Sequence, residues 1–149
     1  MTKSSMLCLF LLIFSGCSFF RHQITTLEQH GPHGGPMVQI NEGVPRYLEF
    51  VAIPQGGVWL IQLYAFDHHL EPKDFSYYAT VDIVTDSGKN WTLNLWNTKH
   101  LFIPGRTAGH LEGSVRLDDV TRFKATVTLV KGRDTCHLEK LQFEYPYSA

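Results

Sequence analysis

The sequence predicts an all-β domain, arranged as an antiparallel two-sheet sandwich of immunoglobulin or transthyretin-like character. Two observations carry this expectation. Short runs rich in Val, Ile, Thr, Tyr and Phe recur at regular spacing, separated by Gly, Pro, Asn and Asp. No stretch sustains the 3.6-residue apolar period of a helix. Many short strands without helices read as two packed sheets.

Taken in order, the expected strands are Met37–Ile40, Arg46–Ile53, Val58–Phe66, Tyr77–Thr85, Trp91–Trp96, His110–Leu117, Phe123–Val130 and His137–Tyr145. The breaks between them are turn sequences: Asn41-Glu42-Gly43, Pro54-Gln55-Gly56-Gly57, Asp86-Ser87-Gly88-Lys89 and Lys131-Gly132-Arg133-Asp134. Gly supplies the positive φ that hairpin loops need, so the Asp86 and Lys131 turns read as hairpins. In the Phe123 strand, Phe123, Ala125, Val127 and Leu129 alternate with Lys124, Thr126 and Thr128, the pattern of a half-exposed antiparallel strand. The Val58 strand is apolar on both faces, which predicts a strand covered on both sides or one that sits centrally.

The chain has 149 residues and a formal net charge of −1, enough for one modest domain and without the basic footprint that nucleic acid requires. Residues 1–16 differ from the rest. Lys3 is followed by the apolar run Met6–Phe14, which is too short to span a bilayer well, and by the small pair Ser15-Gly16. The run Phe14-Ser15-Gly16-Cys17 resembles the bacterial lipobox. That resemblance implies a cleaved leader (1–16), lipidation of Cys17 and a membrane anchor of several acyl chains. By the same resemblance, Ser18 after the cysteine favours the periplasmic face of the outer membrane. Residues 17–29 are then a lipidated tether and 30–149 the β domain. Cys8 leaves with the leader and Cys17 takes lipid, so Cys136 stands alone and no internal disulfide forms.

The chemistry-bearing residues cluster early in the domain. His30-Gly31-Pro32-His33-Gly34-Gly35-Pro36 sets two imidazoles in a Gly/Pro segment where they have little packing to do. Neutral imidazole is the commonest metal ligand. Glu49, inside the apolar run Tyr47-Leu48-Glu49-Phe50-Val51, needs a cation or hydrogen-bond donors. Asp67-His68-His69 closes the next strand, and His110-Leu111-Glu112 opens a later one. His33 and Glu49, completed by His30, His110 and Asp67, form the expected ligand set. It suits a divalent transition metal such as Zn, Co, Ni, Cd or Cu(II), which the fold itself does not require. Met37 is the one methionine left after export, too few for a thioether Cu(I) site. The competing readings are structural. His33-Gly34-Gly35 is a tight turn packed on the sheet, Glu49 is salt-bridged to Arg46 or Lys140, and His68-His69 is a solvated turn.

The pattern His33-Gly34-Gly35, Tyr47-Leu48-Glu49-Phe50-Val51, Leu63-Tyr64-Ala65-Phe66-Asp67-His68 and Leu70-Glu71-Pro72 resembles a small bacterial domain family. That family occurs alone in secreted proteins and at the front of periplasmic adaptor subunits of heavy-metal efflux pumps. His110-Leu111-Glu112-Gly113 and Phe123-Lys124-Ala125-Thr126-Val127 fit its second half. The resemblance implies a sandwich fold and an association with heavy-metal handling, with an efflux-pump component as partner. The sequence departs from the family before Glu49, where Pro45-Arg46-Tyr47-Leu48 carries no His.

Cys136-His137 reads as an idle thiol beside a turn, His22 and His100 as surface residues, and Trp59, Trp91 and Trp96 as core or interface aromatics. No nucleophile elbow, phosphate loop or HExxH motif is present, so no enzyme is expected. The expected function is a lipid-anchored periplasmic metal-binding module, acting as buffer or donor to an efflux complex. The alternative is a non-catalytic adaptor that presents an edge strand to an envelope protein. A carbohydrate- or peptide-binding domain using the Trp residues is a third reading.

Overall fold

The computed structural model describes residues 26–40, 47–74, 77–98, 109–131 and 134–147, with segments 26–28 and 131–139 described by backbone alone. The leader, Cys17, His22, Arg46, the Asn41-Glu42-Gly43 turn and His100 lie outside the described residues, as do the side chains of Cys136 and His137.

Ten strands run in chain order: β1 (Thr26–His30), β2 (Pro36–Gln39), β3 (Tyr47–Gln55), β4 (Val58–Phe66), β5 (Pro72–Lys73), β6 (Tyr77–Thr85), β7 (Asn90–Asn97), β8 (Leu111–Arg116), β9 (Phe123–Lys131) and β10 (Asp134–Tyr145). There is no α-helix among the described residues. β1 begins at Thr26, inside the stretch read as tether, and pairs with β2. The short β5 pairs with the end of β4. Neither strand shows two-residue alternation, which is why sequence reading passed over them.

The all-β antiparallel expectation holds, but the strands form one continuous curled sheet, a half-barrel. Their order is β1-β2-β3-β4-β8-β7-β6-β9-β10, every pair antiparallel. The turning point is β7. Its stretch Asn90–Leu95 pairs with β6, and its end, Trp96 and Asn97, pairs with Glu112 and Leu111 of β8. Gly113 sits under this corner, where a Cβ would lie 2.8 Å from Leu93 and 3.1 Å from the Asn94 carbonyl. Only a residue without a side chain allows β7 to cross β8 so closely.

The curl brings two apolar faces together. Val38, Leu48, Phe50, Trp59, Ile61 and Leu63 from one arm meet Val81, Ile83, Phe123, Val127, Leu141 and Phe143 from the other in a single core. Phe50 stacks on Phe143 with ring centroids 4.6 Å apart, and Trp59 meets the edges of Phe123 and Tyr145 at 5.2 and 4.8 Å. Aromatic pairs at these separations add to the area they bury. β4 is central, flanked by β3 and β8, as its two-sided apolarity predicts. The β3–β4 hairpin turns on Gly56 and Gly57 with φ of 59° and 87°, the positive pair a type I′ turn demands.

Candidate functional site

Register places Glu49 on the face of β3 opposite the core. Leu48, Phe50 and Ala52 pair with Ala65, Leu63 and Ile61 on the core side, whereas Glu49 lies across from Tyr64 and Met37. That outer face would be wet, yet Glu49 has no exposed surface. It is covered by loop 31–35, which leaves β1, folds over β3 and returns as β2. Two backbone bonds tighten the loop, Gly31 N–H to Gly35 C=O at 2.8 Å and Gly34 N–H to Gly31 C=O at 3.0 Å.

Each glycine of the loop has its own steric reason. A Cβ on Gly31 would stand 2.4 Å from the Glu49 carboxyl carbon, and one on Gly35 would stand 2.0 Å from the Phe50 carbonyl oxygen. Gly34 adopts φ 84°, a conformation that side chains resist. The loop therefore touches the β3 backbone directly and closes on the carboxylate. Glu49 Oε1 accepts the N–H groups of His33 and Gly35 at 2.8 and 2.9 Å, and Oε2 lies 2.8 Å from His33 Nδ1. A carboxylate only accepts, so Nδ1 carries the proton of this bond. A buried carboxylate without donors would cost several kcal/mol (about 3 or more); three donors offset that cost.

The imidazole of His33 lies flat on Tyr64, centroids 3.7 Å apart, and the other side of Tyr64 faces His110 at 4.7 Å. The Tyr64 hydroxyl donates to Gln62 Oε1 at 3.0 Å, and Gln62 Nε2 donates to Glu112 Oε2 at 2.7 Å. His110, buried, sets Nε2 3.1 Å from Glu112 Oε2 and Nδ1 3.3 Å from Thr98 Oγ1. A polar row thus runs across β3, β4 and β8. Sequence reading named its ends; it missed Tyr64 and Gln62 as connecting members. The signal was available, since both alternate with the core positions of β4 and fall on the Glu49 face.

The five expected ligands do not gather in one place. His33 and Glu49 converge, as anticipated, but Glu49 acts as the clasp of the loop, with both oxygens engaged and Gly31 packed against the carboxyl group. No lysine or arginine among the described residues pairs with it, and Lys140 is exposed on the other arm. His110 is enclosed with Glu112 and Thr98 beyond Tyr64. Asp67 caps the exposed turn after β4, accepting the N–H groups of His69 and Glu71 at 2.8 and 3.1 Å. Lys73, 3.0 Å from it, holds its carboxyl down at about 2, helped by those two N–H groups. His68 and His69 are exposed in that turn. Among the described residues, no three His, Cys, Asp or Glu side chains are placed to hold one metal ion.

His30 and His33 share something else. Both line an open cleft of about 440 Å³ together with Val51, Ile53, Pro54 and Tyr147. The cleft exists because β2 covers only Tyr47–Glu49 of β3, leaving the next stretch of that edge without a strand partner among the described residues. Tyr147, after β10, substitutes at one point: its hydroxyl oxygen accepts the Ala52 N–H at 2.7 Å. Burial pushes the Tyr147 phenol up to about 12, against the opposing effect of that bond. Pro54, two residues on, brings no N–H to this edge. The Nε2 atom of His33 makes no hydrogen bond to any described residue, while its ring is fixed by Glu49 and Tyr64.

Fold and site together define a curled antiparallel β module with a carboxylate-clasped histidine loop beside an open cleft. No protein-family model matches the chain, and neither curated proteins nor solved structures gave a match.

Proposed function

We propose that this chain is a non-catalytic, lipid-anchored module of the bacterial envelope that takes up a divalent transition metal at His30 and His33 and passes it on; the resemblance to efflux-adaptor domains supports an association with heavy-metal handling. In this reading the two arms of the curled sheet correspond to the layers of the expected sandwich. The observation that carries the proposal is the orientation of His33. A histidine that donates one ring N–H to a buried carboxylate has its tautomer and ring position fixed, with the second nitrogen left as a ligand. Glu49 is then the positioning residue behind the ligand, and His30, on the same cleft, is the second imidazole. Zn(II), Ni(II), Co(II) and Cu(II) accept such donors, and a two-imidazole site leaves coordination positions for water or for the recipient. Acidification weakens capture, because each imidazole must be neutral to bind.

The test is calorimetric titration of the full chain in detergent with ZnCl2 and CuCl2, repeated on His30→Ala and His33→Ala. The expected result is saturable uptake that each variant reduces; His30→Ala keeps the wild-type melting temperature without metal, whereas His33→Ala lowers it because buried Glu49 Oε2 loses its donor. No heat from either metal, together with no shift of melting temperature at high metal excess, overturns the reading. The adaptor reading has its own support, since Glu49 is engaged wholly in holding the loop. It predicts that His30→Ala and His33→Ala leave partner capture unchanged.

A further inference from the structure

Where the chain enters the sheet decides which end of the strands lies nearer an anchor at Cys17. The stretch read as tether is cut short by β1, so Cys17 stands only nine positions before Thr26 (26 minus 17). Nine residues reach at most about 30 Å when fully extended. Thr26 lies beside Val38, Val38 beside Leu48 and Leu48 beside Ala65, so the chain enters at the end where β4 finishes. The turn 67–71, which follows β4, leaves the sheet at that same end. Tyr78 is at the start of β6, one step beyond Ala79, and Trp96 is one step beyond Leu95, the partner of Ala79. Trp96 also opposes Glu112, which opposes Gln62 in the second half of β4. The three most exposed large hydrophobic side chains among the described residues are Trp96 (72%), Tyr78 (70%) and Leu70 of the turn (46%). All three therefore belong to the end of the strands at which the tether arrives.

The opposite end has another character. There the β3–β4 hairpin and the turn 86–89 are accompanied by paired charges, Arg116 with Asp118 at 3.1 Å and Arg122 with Asp86 at 3.8 Å. Laying that end on the bilayer would spend the whole tether along the sheet, because a nine-residue strand such as β4 is itself about 30 Å long. At the near end, half-buried Val130 continues the row of Tyr78, and Lys140, exposed one row on, has no ion-pair partner among the described residues. Tyr and Trp rings, with an apolar body and a polar tip, settle between headgroups and acyl chains. One free lysine, offset by exposed Glu71, falls short of the basic cluster that anionic lipid calls for. The chemistry that fits is the interface of a zwitterionic bilayer, held by apolar side chains.

We propose that Leu70, Tyr78 and Trp96 form a membrane-contact edge that rests the sheet on the bilayer holding Cys17. The proposal rests on the lipid-anchor reading above and makes no use of the metal. In the experiment the full chain, lipidated in a bacterial host, is placed in phosphatidylcholine vesicles with and without brominated acyl chains. Flotation and tryptophan emission are then measured. Trp59 is buried and Trp91 packs against the core, so Trp96 carries the contact signal. Expected is flotation of every variant, with blue-shifted emission that brominated lipid quenches. Trp96→Phe should abolish that quenching, and the double variant Leu70→Ser, Tyr78→Ser should reduce it, both at the wild-type melting temperature. A floating chain that brominated lipid does not quench overturns the proposal and leaves the anchor standing; if its emission is blue-shifted all the same, a second copy covers the patch. Quenching that the double variant leaves intact also overturns it. A chain that does not float overturns the anchor and the proposal together.

Discussion

Truncating Glu49 to Ala removes the acceptor that three loop donors share. The N–H groups of His33 and Gly35 lose their partner, and His33 Nδ1 loses the oxygen 2.8 Å away. Gly35 is buried, so its N–H gains no water in exchange. An unsatisfied buried donor costs about 1–3 kcal/mol, and the vacated side chain leaves a void over the outer face of β3. The partly exposed His33 regains water and contributes less. The sum is about 3–5 kcal/mol, a large share of the roughly 5–15 kcal/mol that holds a domain of this size. The melting temperature should fall by about 10–20 °C. Glu49→Gln separates the charge from the contact. Its amide oxygen still accepts both backbone N–H groups, and its NH2 faces an Nδ1 that can change tautomer, so the cost drops to about 1–2 kcal/mol. Urea unfolding of the three proteins gives both numbers. A Glu49→Ala cost below about 1 kcal/mol would refute the argument that the loop is clasped by this carboxylate.

Two other substitutions probe the same architecture. Gly35→Ala forces a methyl carbon into the Phe50 carbonyl, 2.0 Å away, so the loop must lift; hydrogen exchange should show Gly35 N–H losing protection, whereas Gly88→Ala, strained in φ but open in space, should leave that amide unchanged. Tyr147→Phe strips the Ala52 N–H of its acceptor and should cost about 1 kcal/mol at neutral pH. The wild-type phenol is raised from 10.0 to about 12 in the fold, so its contribution is complete below pH 10 and disappears as pH climbs through about 12. Melting curves of both proteins across that alkaline window should therefore converge, and a constant gap between them would contradict the assignment.

Much of this molecule can be read from its residues, and the parts that cannot have physical reasons. Alternation in β9 and the Asp86-Ser87-Gly88-Lys89 turn predict a strand and a hairpin directly, because burial of one face and positive φ are local demands. The curl of a single sheet in place of two is different. It depends on β7 changing partners above Gly113, and no local pattern marks a strand that serves two neighbours. β1 and β5 owe their pairing to nearby strands, with no alternation of their own to mark them. The meeting of His33 with Glu49 was foreseeable from a glycine-rich imidazole segment and an isolated carboxylate in an apolar run. Its sense was not, because two of the three donors to Glu49 are backbone amides, which every sequence contains and none advertises. Asp67 and His110 satisfied themselves within their own neighbourhoods, through Lys73 and Glu112.

The meeting of β3 with the segment after β10 has a consequence for how that edge of the sheet is held. Elsewhere, prising two strands apart means breaking a whole row of amide–carbonyl bonds at once. Here a single phenol on a tail residue spans the gap to Ala52. Breaking that bond would leave the β2–β3 and β3–β4 ladders whole, so this edge of the sheet is the one where a single side chain, and not a row of backbone partners, satisfies the strand among the described residues.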